Sequence, residues 1–132
     1  MTPSSADVEK LLHAAHAVQG AFALGRPDFS AGSVAAALLT RSGALYTGVC
    51  LDLACGIGFC AEHAAVAEML KHRELEIAAI VAVNEREILA PCGRCRELIA
   101  QLTPANTETR VVLAGQRTVA LRELLPEHWL AS

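Results

Sequence analysis

Apolar residues recur at steps of three and four through Val8, Leu11, Leu12, Ala15, Val18 and Phe22, the spacing that lays one apolar stripe along a helix. The pattern predicts a helix from Ser4 or Ser5 onward, with Ser4 and Asp7 spaced as a capping pair. His13 points away from the stripe and His16 lies at its margin, so both read as surface histidines. After the turn-rich ALGRPDFSAG the pattern changes. Residues 34–40 and 44–51 are two apolar runs joined by Arg41, Ser42 and Gly43, a link that predicts a hairpin. A loop with Gly56 and Gly58 follows, and CAEHAAVAEMLKHRE reads as a helix whose basic end suits its carboxyl terminus. Residues 77–84 form a continuous β-branched run, a buried strand, and PCGRCRELIAQL reads as a helix with Pro91 near its start. Residues 110–114 predict another strand, 118–120 a short edge strand, and LRELL a last helical turn.

This order of elements is α/β. A strand, a helix and another strand give parallel neighbours, so the strands at 44–51 and 77–84 are expected side by side. The two helices that follow them then start at one sheet edge. Cys60 opens the first helix, Cys92 and Cys95 open the second, and the three sulfurs are expected to be able to share one ion there, at the edge where α/β sheets bind ligands.

Length and charge narrow the classes. A chain of 132 residues fits a single domain over 1–132. A net charge of −3 with no lysine or arginine run excludes an electrostatic track for polymeric nucleic acid or anionic lipid. No apolar run approaches the ~20 residues that cross a bilayer, and MTPSSADVEK lacks the basic flank and apolar stretch of a secretory signal. A cytoplasmic location is expected. Thiols stay reduced there, so Cys50, Cys55, Cys60, Cys92 and Cys95 do not read as a disulfide framework.

Three readings of the cysteines remain. Cys92 and Cys95 form a Cys-x-x-Cys pair at a helix start, as in thioredoxin-like redox proteins, but that leaves Cys60-Ala61-Glu62 unexplained. A structural zinc module needs a closed set of four ligands, with Cys50 or Cys55 as the fourth. An open site takes three thiolates, leaves one position to water, and has Glu62 nearby as a base.

Cys60-Ala61-Glu62 followed at a distance by Pro91-Cys92-Gly93-Arg94-Cys95 resembles the zinc signature of the cytidine deaminase superfamily. SVAAALLTRSGALYTGV is similar to that family's first hairpin and IVAVNEREILAPCGRCRELI to its third strand and helix, while LRELLPEHW resembles the ending of small deaminases related to cytidine deaminase and blasticidin S deaminase. The resemblance implies a three-layer α/β/α sandwich with a mixed sheet of about five strands. It implies that Cys60, Cys92 and Cys95 hold Zn²⁺ and that Glu62 takes a proton from the bound water and delivers it to the ring nitrogen and the leaving amine. It also implies that the N–H of Ala61 and the carbonyl of Ala90 orient the ring, and that His63, where relatives often carry arginine, or Arg94 donates to a ligating sulfur.

Departures from the family bear on the substrate. The segment Phe29 to Ala35 places Gly32 where relatives carry a base-facing phenylalanine, and Cys50 and Asp52 stand where they carry Asn-x-Glu for a sugar hydroxyl. A thiol cannot act as a two-way amide, so sugar contacts must differ. Asp52 is expected to bind a hydroxyl or an ammonium group, or to cap a turn, and Cys50 and Cys55 to be buried small residues, with pocket lining open to them. The expected substrate is cytidine or a related nucleoside, with a blasticidin S-like antibiotic or a free base as alternatives. A mean hydropathy of +0.37 and alanines at 61, 64, 65 and 67 point to a homo-oligomer, a homotetramer or homodimer by the family's habit. Trp129 reads as anchoring the last segment on the core or closing a pocket.

Overall fold

The first helix, α1 (Ser5–Val18), begins where the capping pair predicts. The Asp7 N–H donates to the Ser4 hydroxyl, and the Ser4 N–H donates to the Asp7 carboxylate, so two N–H groups without helical partners are satisfied. The computed structural model describes residues 3–130. Val8, Leu11 and Ala15 are buried, and His13 and His16 are exposed. The apolar stripe is shorter than its periodicity predicts. Gln19 turns extended, and Phe22 lies in β1 (Phe22–Ala23), 55% exposed.

The predicted hairpin is β2 (Ser30–Thr40) and β3 (Leu45–Asp52). It is followed by α2 (Ala61–Lys71), β4 (Ile77–Val83), β5 (Ile88–Leu89), α3 (Gly93–Leu102), β6 (Arg110–Val112), β7 (Thr118–Ala120) and α4 (Leu121–Leu124). Five strands form the body of the sheet in the order β3-β2-β4-β6-β7. Two-residue strands β1 and β5 pair with β2 and β4 and bring the total among the described residues to seven. Strands that short carry no period a sequence could reveal. The sheet is mixed: β4 and β6 are parallel, and the other pairs are antiparallel.

One expectation about pairing needs correction. β3 and β4 run in the same direction, each antiparallel to β2, but β2 lies between them. The hairpin docks on β4 through its first strand. Alanines 35–37 let β2 sit in the middle of the sheet with both faces covered. The chain order of strand, helix and strand is blind to that choice. Its consequence survives, since β3 and β4 still run in one direction and the starts of α2 and α3 still meet, with the Cys60 and Cys92 sulfurs 3.6 Å apart.

Alternate residues of the central strands face opposite layers. Ala35, Ala37, Ala79, Val81 and Val83 pack with Val8, Leu11 and Ala15 of α1. Ala36, Leu38, Ile80 and Ala82 pack with Ala65 and Met69 of α2, Ile99 of α3 and Leu121 of α4. The result is a three-layer α/β/α sandwich. Gly48 lets α2 approach β3 at backbone range, because a Cβ there would overlap the backbone nitrogen of Ala65. Buried Asn106 ties α3 to β4: its Oδ1 accepts from the Ile77 N–H at 2.9 Å, and its Nδ2 donates to the carbonyls of Leu75 and Ile99. Trp129 does not anchor on the core. The residue is 79% exposed, and its N–H donates to Glu97 of α3 at 2.9 Å.

Candidate metal centre and substrate cavity

Cys60 is the residue before α2, Cys92 is the residue before α3, and Cys95 stands in the first turn of α3. Both leading cysteines have extended backbone, and neither side chain caps its own helix. The sulfurs of Cys60 and Cys92 are 3.6 Å apart, as are those of Cys92 and Cys95, and all three lie within 4.8 Å of one another. Tetrahedral zinc with Zn–S bonds near 2.3 Å spaces its sulfurs by about 3.7 Å. The donor set therefore fits zinc in both atom type and spacing.

The same distances weigh the other two readings. All five cysteines are free, and Cys60 stands as close to Cys92 as Cys95 does, so an isolated redox pair does not describe the cluster. Cys50 and Cys55 lie outside it, so among the described residues the group holds three ligands and no fourth cysteine. Cys55 departs from the expectation of burial. It is exposed, with φ 61°, in the tight turn at 54–56, a conformation that follows from the loop and not from residue type.

Charge is costly here. Burial pushes the Cys95 thiol far up, and the Glu62 carboxylate and the two other sulfurs add to it. Burial also raises Cys60, with Cys92 contributing. Burial acts on Cys92 the same way, but hydrogen bonds from the Cys95 backbone, from the neighbouring sulfurs and from the Arg94 backbone outweigh it and leave that thiol below its ordinary value. A divalent cation compensates such a set, and a coordinating thiol is deprotonated outright.

Glu62 is 4% exposed, and burial raises its carboxyl above the ordinary range, against its own N–H and the Cys95 thiol. A carboxyl shifted in that direction holds a proton more readily than a solvated one, which suits a group that takes and passes protons. The neighbouring His63 puts Nδ1 3.6 Å from the Cys95 sulfur, and burial, then the Arg94 charge, lowers its pKa. Arg94 is exposed at the rim, and among the described residues no hydrogen bond joins its guanidinium to a sulfur.

A cavity of about 530 Å³ opens on this cluster. Cys60, Cys92, Glu62, Ala61, Ala90 and Arg94 line it, together with Cys50 and Asp52 at the end of β3. Cys50 is both buried and cavity-lining. Its sulfur is 3.3 Å from the Ser33 hydroxyl, accepts from the Val34 N–H at 3.3 Å, and lies 3.6 Å from an Asp52 oxygen. Gly32 is not on the cavity wall. It packs against the Gly20 carbonyl at φ 85°, and Ser33 and Val34 take the wall instead. Sequence reasoning missed this pair, along with Phe59 and Leu89. The signal was out of reach because β2 carries a register shift between Ala31 and Ala35, which no spacing rule predicts.

Comparison with known proteins places these features. Residues 6–112 match the family described as the cytidine and deoxycytidylate deaminase zinc-binding region. A cytidine deaminase of Halalkalibacterium halodurans is 32% identical over 102 residues, which cover 74% of this chain and 77% of that protein. The crystal structure of cytidine deaminase from Mycobacterium tuberculosis superposes with a TM-score of 0.79 at 26% identity, covering 95% of this chain and 98% of that one. The cytidine deaminase from Burkholderia pseudomallei gives 0.73 at 31% identity, over 90% and 96% of the two chains. The match runs through α1, the hairpin and both cysteine-bearing helices, and on that extent the chain belongs to the cytidine and deoxycytidylate deaminase zinc-binding family.

Proposed function

We propose that this protein is a zinc-dependent hydrolytic deaminase of a small aminated heterocycle, cytidine or a related nucleoside, which it converts by adding water and releasing ammonia. One observation carries the reading. Three sulfurs from two helix starts converge within 4.8 Å of one another, and two of them, Cys60 and Cys92, line a cavity of nucleoside scale together with the buried Glu62 carboxyl. Cys60, Cys92 and Cys95 would hold the ion. When bound, zinc supplies Lewis acidity that makes the ionisation of water accessible near neutral pH.

The chain's own residues do the rest. Glu62 takes one proton from the attacking water and gives it to the ring nitrogen, then takes the second from the hydroxyl so added to the ring and gives it to the departing amine as the carbonyl forms. The Ala61 N–H and the Ala90 carbonyl, both at the cavity, orient the ring. His63 donates through Nδ1 to the Cys95 sulfur, offsetting part of the charge of three thiolates. Chelator competition with His63→Ala checks that role, and unchanged zinc retention would remove it. Asp52, with Cys50 beside it, takes a hydroxyl or ammonium group at the far end of the substrate.

We further propose one domain over 1–132, whose first two and last two residues lie outside the described structure, acting in the cytoplasm as a homodimer or homotetramer on small molecules and not on polymeric nucleic acid or membrane. Among the described residues no helix is long and apolar enough to cross a membrane. The test is ammonia release by the zinc-loaded protein across cytidine, deoxycytidine, cytosine, adenosine, guanine and blasticidin-like compounds. At least one is expected to turn over. Glu62→Gln is expected to lose about 10²–10⁴ in rate while retaining zinc. Bound zinc with no turnover on any compound would leave a binding module.

A further inference from the structure

Cys92 is exposed, so little packing fixes its sulfur, and the position of that atom depends on the two peptide groups that flank the residue. One residue holds both. The Arg96 N–H donates to the Cys92 carbonyl at 3.0 Å, the first turn of α3. The Arg96 side chain reaches back, and its Nε donates to the Pro91 carbonyl at 2.8 Å. The same guanidinium donates through Nη1 to the carbonyl of Leu124 at 2.9 Å. Leu124 ends the four-residue α4, so its carbonyl has no helical partner of its own.

A planar guanidinium can hold two carbonyls that arrive from different segments, with donors fixed in one fork. An ammonium is a point donor and cannot keep both directions. The next residue, Glu97, accepts from the Trp129 N–H, so two successive residues of α3 grip the segment 121–130. Only the Arg96 grip extends to the cysteine loop.

We infer that Arg96 is a positioning residue for the metal centre: its side chain locks the Pro91–Cys92 peptide, and so the Cys92 sulfur and the adjoining Ala90 carbonyl, to the carboxyl-terminal segment. The inference rests on the zinc reading above. It assigns Arg96 no contact with substrate or ion. It makes the ending of the chain part of what holds one ligand in place.

Full-length Arg96→Ala and Arg96→Lys proteins, freed of metal and titrated with Co²⁺ against a competing chelator, test this. Thermal melts of the metal-free forms and separate KM and kcat values accompany the titrations. Both variants are expected to lose about ten- to a hundred-fold in Co²⁺ affinity and to alter the thiolate-to-cobalt absorption. Lysine is included because it keeps charge and reach where alanine could fail to fold. Glu97→Ala, which releases the Trp129 N–H and the Gln101 amide but touches nothing in the cysteine loop, is expected to keep the parent affinity and spectrum. If the Arg96 variants melt lower but bind cobalt with unchanged affinity and absorption, Arg96 is a structural clamp and the inference is overturned. A parent protein that binds no cobalt removes the zinc reading and this inference together. A parent that binds and turns over, beside Arg96 variants with normal cobalt binding, removes this inference alone.

Discussion

Asp52 is a polar group of the cavity with capacity to spare. Cys50 spends its hydrogen bonds on Ser33, Val34 and Asp52, whereas the Asp52 carboxylate has oxygen lone pairs left to face the cavity. An acceptor-only group there selects a donor on the substrate. Asp52→Asn is expected to raise KM by about ten- to a hundred-fold, the worth of a hydrogen bond to a charged group, with kcat nearly unchanged because the contact is equal in ground and transition states. Steady-state kinetics on the best substrate of the panel checks this. An unchanged KM would return Asp52 to a turn-capping role. That Cys60, Cys92 and Cys95 come together was legible because local signals mark both helix starts and the likeness to the deaminase signature pairs them. The Ser33 contact was not, since it exists only across two paired strands.

The elements carry their own chemistry, and the end of α2 is the clearest case. Tyr46 of β3 stacks on His72, with ring centroids 5.2 Å apart, and its hydroxyl donates to Glu74 at 2.8 Å. Ser42, in the hairpin turn, donates to the other oxygen of Glu74. These bonds, Ser42 first and Tyr46 second, hold the Glu74 carboxyl below the ordinary carboxylate range. The sign follows. A carboxyl whose folded pKa lies below its unfolded value of about 4.3 stabilises the fold above that value, and the contribution is lost as pH falls through the folded pKa. Melting temperatures of the parent are expected to fall more steeply between about pH 5 and 3 than those of Glu74→Gln. Parallel slopes would mean that the network adds nothing. The hairpin, both cysteine helices and the Ser4 cap were legible because local periodicity and capping chemistry specify them. β1, β5 and the end of α1 were not, because each is set by a neighbour rather than by its own residues.

At the scale of the whole molecule, the proposed ion joins two elements that otherwise meet through packing on the sheet and the contact of His63 with Cys95. Removing it is expected to loosen the starts of α2 and α3 together. At free zinc a hundred times Kd, binding adds about 2.7 kcal/mol. Chelation is therefore expected to lower Tm by roughly 8–11 °C, given ~3–4 °C per kcal/mol for a chain of this size. Cys60→Ser is expected to melt near the chelated parent and to respond little to chelator. Equal Tm with and without chelator would show that no structural ion was held. The sequence by itself determined the α/β class, the helix starts that bear the cysteines, and the chemistry of the donor set, because each depends on residues within a few positions of one another. Only the tertiary structure decided that β2 lies between β3 and β4, that its register shift turns Ser33 and Val34 into the cavity, and that Arg96 ties the cysteine loop to Leu124. Those arrangements minimise the free energy of the packed whole, where burial of both sheet faces and satisfaction of distant carbonyls compete, and no local segment contains that balance.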